Sequence, residues 1–156
     1  VVVRGVTNKV GHRYVVFLDY DYDEKHSIYS EVSSLQAEWG LGNAYLFKTS
    51  KGYHVIFLDL LSYGEFKAIL NASSCDDAYK QVPQQNNARA WVLRITDKKD
   101  NIITYEDVIT APQVRPVSEP HARLLIMRGV PEGIVNEHEE FEEGKQYGLT
   151  FAEYEA

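Results

Sequence analysis

Tyr14-Val-Val-Phe-Leu-Asp-Tyr-Asp-Tyr-Asp23 is the stretch that decides how the rest of the chain is read. Its first half is apolar and long enough for a buried strand. Its second half sets acids at alternating positions. Strand side chains point to opposite faces in turn, so a strand running through Asp23 puts Asp19, Asp21 and Asp23 on one face. Tyr20 and Tyr22 then lie on the other. Neighbouring acids on that face would stand roughly 6.5–7 Å apart, near enough for two to converge on a divalent cation. Like charges at a strand end raise one another's pKa unless a cation or solvent relieves them. The plainer reading is a strand running out into a polar loop, where aspartate is common.

A second signal lies downstream, in Lys48-Thr-Ser-Lys-Gly-Tyr-His54. If this segment is extended, Ser50, Gly52 and His54 share a face. Gly52 then leaves room for a ligand to approach the backbone. A hydroxyl, exposed amides and an imidazole, with Lys51 beside them, suit a polyphosphate. The plainer reading is a hairpin turn with Lys51-Gly52 at its tip and His54 packed on the sheet.

Periodicity and turn residues give the frame around these two segments. Val1–Val6 reads as a short strand, followed by a turn at Thr7-Asn8. Ser27–Trp39 reads as a helix with Ile28, Val32, Leu35 and Trp39 on one face and Gly40 at its stop. Asn43–Thr49 and His54–Leu60 read as strands joined by a turn at Ser50–Tyr53. Ser62-Tyr-Gly-Glu65 is a capping-box pattern opening a helix to about Ala72. Asp76–Asn87 reads as a polar loop, Ala88–Thr96 as a strand, Asp97–Asn101 as a turn and Ile102–Tyr105 as a hairpin return. Ala111–Pro120, with three prolines, reads as a connection or an edge element, and Arg123–Met127 as a last strand. The expected class is α+β, a mixed central sheet with flanking helices.

The 156 residues fit one domain with a proper core. No apolar run approaches the ~20 residues of a membrane helix, and nothing at the N-terminus resembles a signal peptide. A single cysteine, Cys75, excludes an internal disulfide and a cysteine cluster for zinc. A cytoplasmic setting is the resulting expectation, and a start at Val1 fits a piece of a longer polypeptide. The net charge of -7 is unevenly spread. Residues 132–156 hold eight acids and one base, so residues 1–131 are neutral overall. The expected division is a neutral body over 1–131 and an acidic C-terminal segment over 132–156, read as a solvated face or tail, with cover of a basic groove in the absence of ligand as the alternative.

Taken together, an apolar strand ending Asp19-Tyr-Asp21, a helix, and a strand leading into Lys48-Thr-Ser-Lys-Gly-Tyr-His54-Val resemble the archaeo-eukaryotic primase superfamily. The layout is similar to the polymerase domain of bacterial ligase D and to minimal viral and plasmid primase-polymerases. The resemblance covers roughly residues 14–98 and not the C-terminal third, and the zinc module of many primases is missing. It implies a primase-like catalytic core with an RRM-like part. It implies Asp19 and Asp21 as ligands of Mg²⁺ or Mn²⁺, and Ser50 and His54 as triphosphate contacts, with Lys51 as a weaker addition. A third metal-binding acid falls at Asp77, with Asp76 adjacent. An arginine on a later strand, here Arg94, would reach phosphate. Asp23 lies outside the family pattern.

The activity so implied is template-dependent nucleotidyl transfer, DNA priming or primase-polymerase synthesis, by a two-metal mechanism. The implied partners are nucleoside triphosphates, a single-stranded or primed nucleic-acid template, a replicative helicase in a viral or plasmid setting, and no membrane. Arg89, Lys98, Lys99, Arg115, Arg123 and Arg128 are candidate template-backbone contacts. Trp91 and Tyr105 are candidate stacking platforms. Two other readings remain: a catalytically degenerate relative that binds nucleotide or nucleic acid, and an RNA-binding sheet module. The second leaves three acids unexplained. A rolling-circle nicking enzyme would need two histidines one residue apart, and the five present are never that close.

Overall fold

A computed structural model describes residues 2–85, 92–94, 102–113, 115–138, 140–141 and 151–155. The elements in chain order are β1 (Val2–Thr7), β2 (Lys9–Val10), β3 (Arg13–Tyr20), α1 (Lys25–Trp39), β4 (Ala44–Lys48), β5 (Tyr53–Leu61), α2 (Tyr63–Ala72) and α3 (Asp77–Gln85). They continue with β6 (Val92–Arg94), β7 (Thr104–Ile109), β8 (Pro116–Val117), α4 (Glu119–Met127), α5 (Glu132–His138), β9 (Glu140–Phe141) and β10 (Phe151–Glu155). The class is α+β, as the sequence implies.

Every residue of β5 is buried, which is why this near-continuous apolar run takes the centre of the main sheet rather than an edge. The sheet runs β2-β3-β5-β4-β7 with antiparallel neighbours. Among the described strands its only parallel pair is β8 with β9, with β8 beside the C-terminal half of β5 at Asp59. A second, antiparallel sheet runs β10-β1-β6. Val6 of β1, Leu93 of β6 and Leu124 and Leu125 of α4 close over Phe17 and Ile56, enclosing a cavity of about 30 Å³. On the opposite face, Tyr14 stacks on Phe66 of α2 and Tyr20 donates to Glu31 of α1 at 2.5 Å.

Local signals account for the helices that the sequence announces. α1 buries Ile28, Val32 and Leu35 and ends at Gly40, which adopts φ 65° and donates its N–H to the Gln36 carbonyl. That left-handed conformation costs glycine nothing. Ser62 accepts from the Glu65 N–H at 3.2 Å, and its hydroxyl donates to Oε1 of Glu65 at 3.2 Å, so the serine half of the capping box is formed.

Four expectations are overturned. The acidic strand stops at Tyr20, and Asp21–Glu24 leave the sheet before α1. Asp76–Asn87 was expected as a loop, but 77–85 is helical, anchored by buried Tyr79 and by the Lys80 ammonium on the Ser73 carbonyl. Its polar composition and Pro83 concealed it. Ile102–Tyr105 was expected to return beside Ala88–Thr96. Instead β7 pairs with β4 and β6 pairs with β1. The described part of that expected strand is only Val92–Arg94. Arg123–Met127 was expected as a strand and belongs to α4. Ser118 caps α4 by accepting from the His121 N–H, Pro120 sits in its first turn, and His121, Ala122, Leu124 and Leu125 are buried at helical spacing. Within the acidic segment, residues 151–155 form β10, which pairs with β1 from Val2↔Glu155 to Val6↔Phe151. The expected turn at Asp97–Asn101, and the candidates Arg89, Trp91, Lys98 and Lys99, lie outside the described residues.

Candidate functional site

The two signal segments meet across one strand pair. In the β3–β5 register Asp19 is opposite His54 and Tyr20 is opposite Tyr53. The Asp19 Oδ1 to His54 Nε2 distance is 3.6 Å, with the carboxylate side chain 36% exposed and the imidazole 6%. That is too long for a hydrogen bond. It places an open carboxylate at the rim of the sheet and a buried imidazole just inside it.

The field around Asp19 identifies its neighbours. Its pKa is raised to about 6, first by burial, then by the carboxylates of Asp76 and Asp21, with Arg94 opposing. Three acids and one arginine therefore share this corner. Asp76 is fixed there by its own backbone N–H, which donates to the Asp19 carbonyl at 2.8 Å. Asp77, the expected third acid, is turned elsewhere: its side chain is 92% exposed and faces Lys80 at 3.9 Å. The reason is helical geometry. Asp76 is the last residue before α3 and Asp77 the first within it, so their side chains diverge.

The expectation that Asp23 shares a face with Asp19 and Asp21 fails because the strand ends first. Asp23 lies 3.7 Å from the Lys48 ammonium, and its charge helps to raise the pKa of Tyr53, after burial. Neither Gly52 nor Ser50 shares an extended face with His54, because residues 49–52 form the turn between β4 and β5. There the Thr49 N–H donates to the Gly52 carbonyl at 2.9 Å, and the Gly52 N–H to Thr49 Oγ1 at 3.0 Å. A Cβ on Gly52 would stand 2.0 Å from the Tyr20 carbonyl oxygen and 2.9 Å from the Tyr22 nitrogen. The close approach that glycine permits is thus by the chain's own backbone, not by a ligand. Ser50 and Lys51 are exposed at the tip of the turn, adjoining the strand end that carries His54.

His54 is held neutral. Burial and the positive charge of Arg94 lower its pKa to about 3. Its Nδ1 is buried without a hydrogen-bond partner, and the ring lines the small cavity beneath α4. Arg94 reaches this corner from the second sheet, where it pairs with Gly5. A second buried histidine, His121, is structural. Its Nε2 donates to the Thr7 carbonyl at 2.8 Å, and its Nδ1 meets Ser118 Oγ at 2.6 Å.

The other candidate contacts divide. Arg115 is occupied at the far end of β5, with the Trp39 and Gly40 carbonyls and the carboxylates of Asp59 and Glu65. Arg123 is exposed and paired with Glu119. Arg128 bonds the Ile103 carbonyl and borders the small cavity. Tyr105 packs edge-on against Phe47, with ring centres 5.8 Å apart, so its ring is part of the sheet's cover.

The donor chemistry here suits a hard cation. Asp19, Asp21 and Asp76 supply carboxylate oxygens, and burial together with the two neighbouring acids raises the pKa of Asp19 to about 6. Among the described residues no three His, Cys, Asp or Glu side chains are gathered as a ready ion-holding set. Carboxylates that repel one another need side-chain rotation to close on an ion. No protein-family model, curated protein or solved structure matches the chain. No helix among the described residues is long and apolar enough to cross a membrane.

Proposed function

We propose that the chain is a metal-dependent nucleotidyltransferase, a primase or primase-polymerase acting on nucleoside triphosphates along a nucleic-acid template. The observation that carries this reading is the electrostatic state of Asp19. A half-open carboxylate is pushed to a pKa of about 6 by burial and by Asp76 and Asp21, beside an imidazole kept uncharged. Three acids against the single Arg94 leave this corner short of positive charge, which a divalent cation arriving with a polyphosphate would supply. In this reading Asp19 and Asp21 hold the metal with Asp76, in place of Asp77, as third acid.

Bound Mg²⁺ or Mn²⁺ would lower the pKa of an attacking 3′-hydroxyl and offset charge on the leaving pyrophosphate. The chain's own residues do the positioning. His54, neutral near pH 7, offers a hydrogen bond from Nε2 and is not a proton acceptor of useful strength. Arg94 contributes fixed positive charge from the second sheet, and Ser50 and Lys51 present a hydroxyl and an ammonium from the turn. Template, and any helicase partner of a viral or plasmid replication system, would engage surfaces outside this corner.

The direct test is incubation with Mn²⁺, a primed template and labelled nucleotides, comparing the wild type with the double variant Asp19→Ala, Asp21→Ala. Extension by the wild type alone is expected; equal signals from both would end the enzyme reading. A second reading, a degenerate relative that binds nucleotide or nucleic acid without catalysis, draws on the lack of a pre-gathered ion-holding set among the described residues. It expects nucleotide binding with no extension at any Mn²⁺ concentration.

A further inference from the structure

We propose that Lys48 is a positioning residue. With Asp23 and Tyr53 it forms a clasp that holds the loop after β3, and hence Asp21, against the turn carrying Ser50 and Lys51. This inference rests on the nucleotidyltransferase reading of the site.

Asp21 lies on four residues, Asp21–Glu24, that belong to neither β3 nor α1. Something other than a ladder of backbone bonds must fix them. From below, Gly52 packs its backbone directly under Tyr20–Tyr22, with no room for a Cβ. From one side, the Tyr22 hydroxyl meets Ser74 Oγ at 3.0 Å. From the other, the Lys48 ammonium lies 3.7 Å from Asp23 and over the ring of Tyr53.

Lys48 joins the two halves of the site because its remaining bonds go to the turn. Nζ donates to the Thr49 carbonyl at 2.5 Å and to the Gly52 carbonyl at 3.3 Å. It also lies over the Tyr53 ring, 5.0 Å from the centroid. An ammonium has three N–H donors and no acceptor. Two are committed to the turn, and the charge of Asp23 stands 3.7 Å away. Lys51, exposed at the tip, is the lysine placed to meet a ligand. The Asp23 side chain is 60% exposed, and an ion pair so open to water adds little stability. What the clasp sets is where Asp21 stands.

Tb³⁺ luminescence, excited through Tyr20, Tyr22 and Tyr53 and displaced by Mg²⁺, reads ion binding without turnover. Lys48→Met and Asp23→Asn are each expected to raise the Tb³⁺ midpoint about tenfold, as loss of a partner behind a metal ligand does. Their melting temperatures should stay within about 2 °C of wild type. The double variant should bind no worse than the weaker single variant, because one clasp is broken once. Should Lys48→Met lose structure, Asp23→Asn, an exposed change, still reports. A normal wild-type titration with unchanged midpoints in both variants would overturn the clasp alone. So would Lys48→Met that loses nucleotide affinity but keeps its Tb³⁺ midpoint, since Lys48 would then contact phosphate. A wild type without Mg²⁺-displaceable signal would bring down the reading of the site, and the clasp with it.

Discussion

Asp19 and His54 face each other across the β3–β5 pair at 3.6 Å, yet they do not form an ion pair. The spacing is that of a salt bridge, but burial and Arg94 keep the imidazole uncharged down to about pH 3. Asp19 gains its charge only above about pH 6. At no pH are both charged to a useful extent, so the carboxylate's negative charge is left for another cation.

Asp19→Asn should stabilise the metal-free protein at pH 7.5. The folded pKa of about 6 lies above the ordinary 3.8. The folded state therefore holds the extra proton between those values, and stability falls as pH rises through that window. The substitution removes a penalty on the order of 1 kcal/mol, after discounting for the part of the side chain open to water. Thermal melts at pH 7.5 and pH 4 check this, with the gain expected only at the higher pH. Mn²⁺ should raise the wild-type melting temperature and leave that of Asp19→Asn unmoved.

His54→Gln should flatten the acid side of the stability curve. His54 has its folded pKa lowered to about 3 and His121 to about 4, from 6.5. For each, the unfolded chain binds the proton first, so stability is fully present above pH 6.5 and is lost as pH falls through the window. Removing one of the two should lessen the slope of the urea midpoint between pH 6.5 and pH 4, where Asp19 acts in the opposite sense. An unchanged slope would mean that His54 is more open to water than its place beneath α4 implies.

Asp76→Asn and Asp77→Asn separate the two neighbours in the incorporation assay. Asp76→Asn should cut turnover at least about a hundredfold, as removal of a metal ligand does. Asp77→Asn should cost no more than the helix-terminus charge effect, about 0.3–1 kcal/mol of stability, with activity retained. The reverse pattern would return the third acid to Asp77.

Two glycines offer an internal control on backbone contact. In Gly52→Ala the Cβ meets backbone at 2.0 Å, which no rotamer relieves, and a loss of about 3 kcal/mol or more is expected. Gly64→Ala, in the first turn of α2 with nothing within 4 Å, should gain about 0.5–1 kcal/mol. Chemical denaturation of the two variants decides it.

Local chemistry was legible in the residues themselves. The run up to Leu18, the Ile28–Trp39 period with Gly40 behind it, and the Ser62–Glu65 box each carry their whole cause within a few neighbours. α4 was misread because its start signals, Ser118 and Pro120, stand outside the apolar run taken for a strand. α3 was hidden because one inward tyrosine, Tyr79, holds it against a polar composition. Pairings of β7 with β4 and of β1 with β6 and β10 leave no local mark, since they join segments tens of residues apart.

By itself the sequence determined that acids end one central strand and that an imidazole begins another, because strand burial and turn residues act over short range. The packing of distant segments alone decided which acids stand together. Asp76 is drawn to Asp19 by a backbone bond between residues 57 positions apart, and Asp23 is turned to Lys48 because Gly52 lets the chain leave the sheet. Charge, burial and contact at that corner come from three dimensions, and spacing along the chain does not encode them.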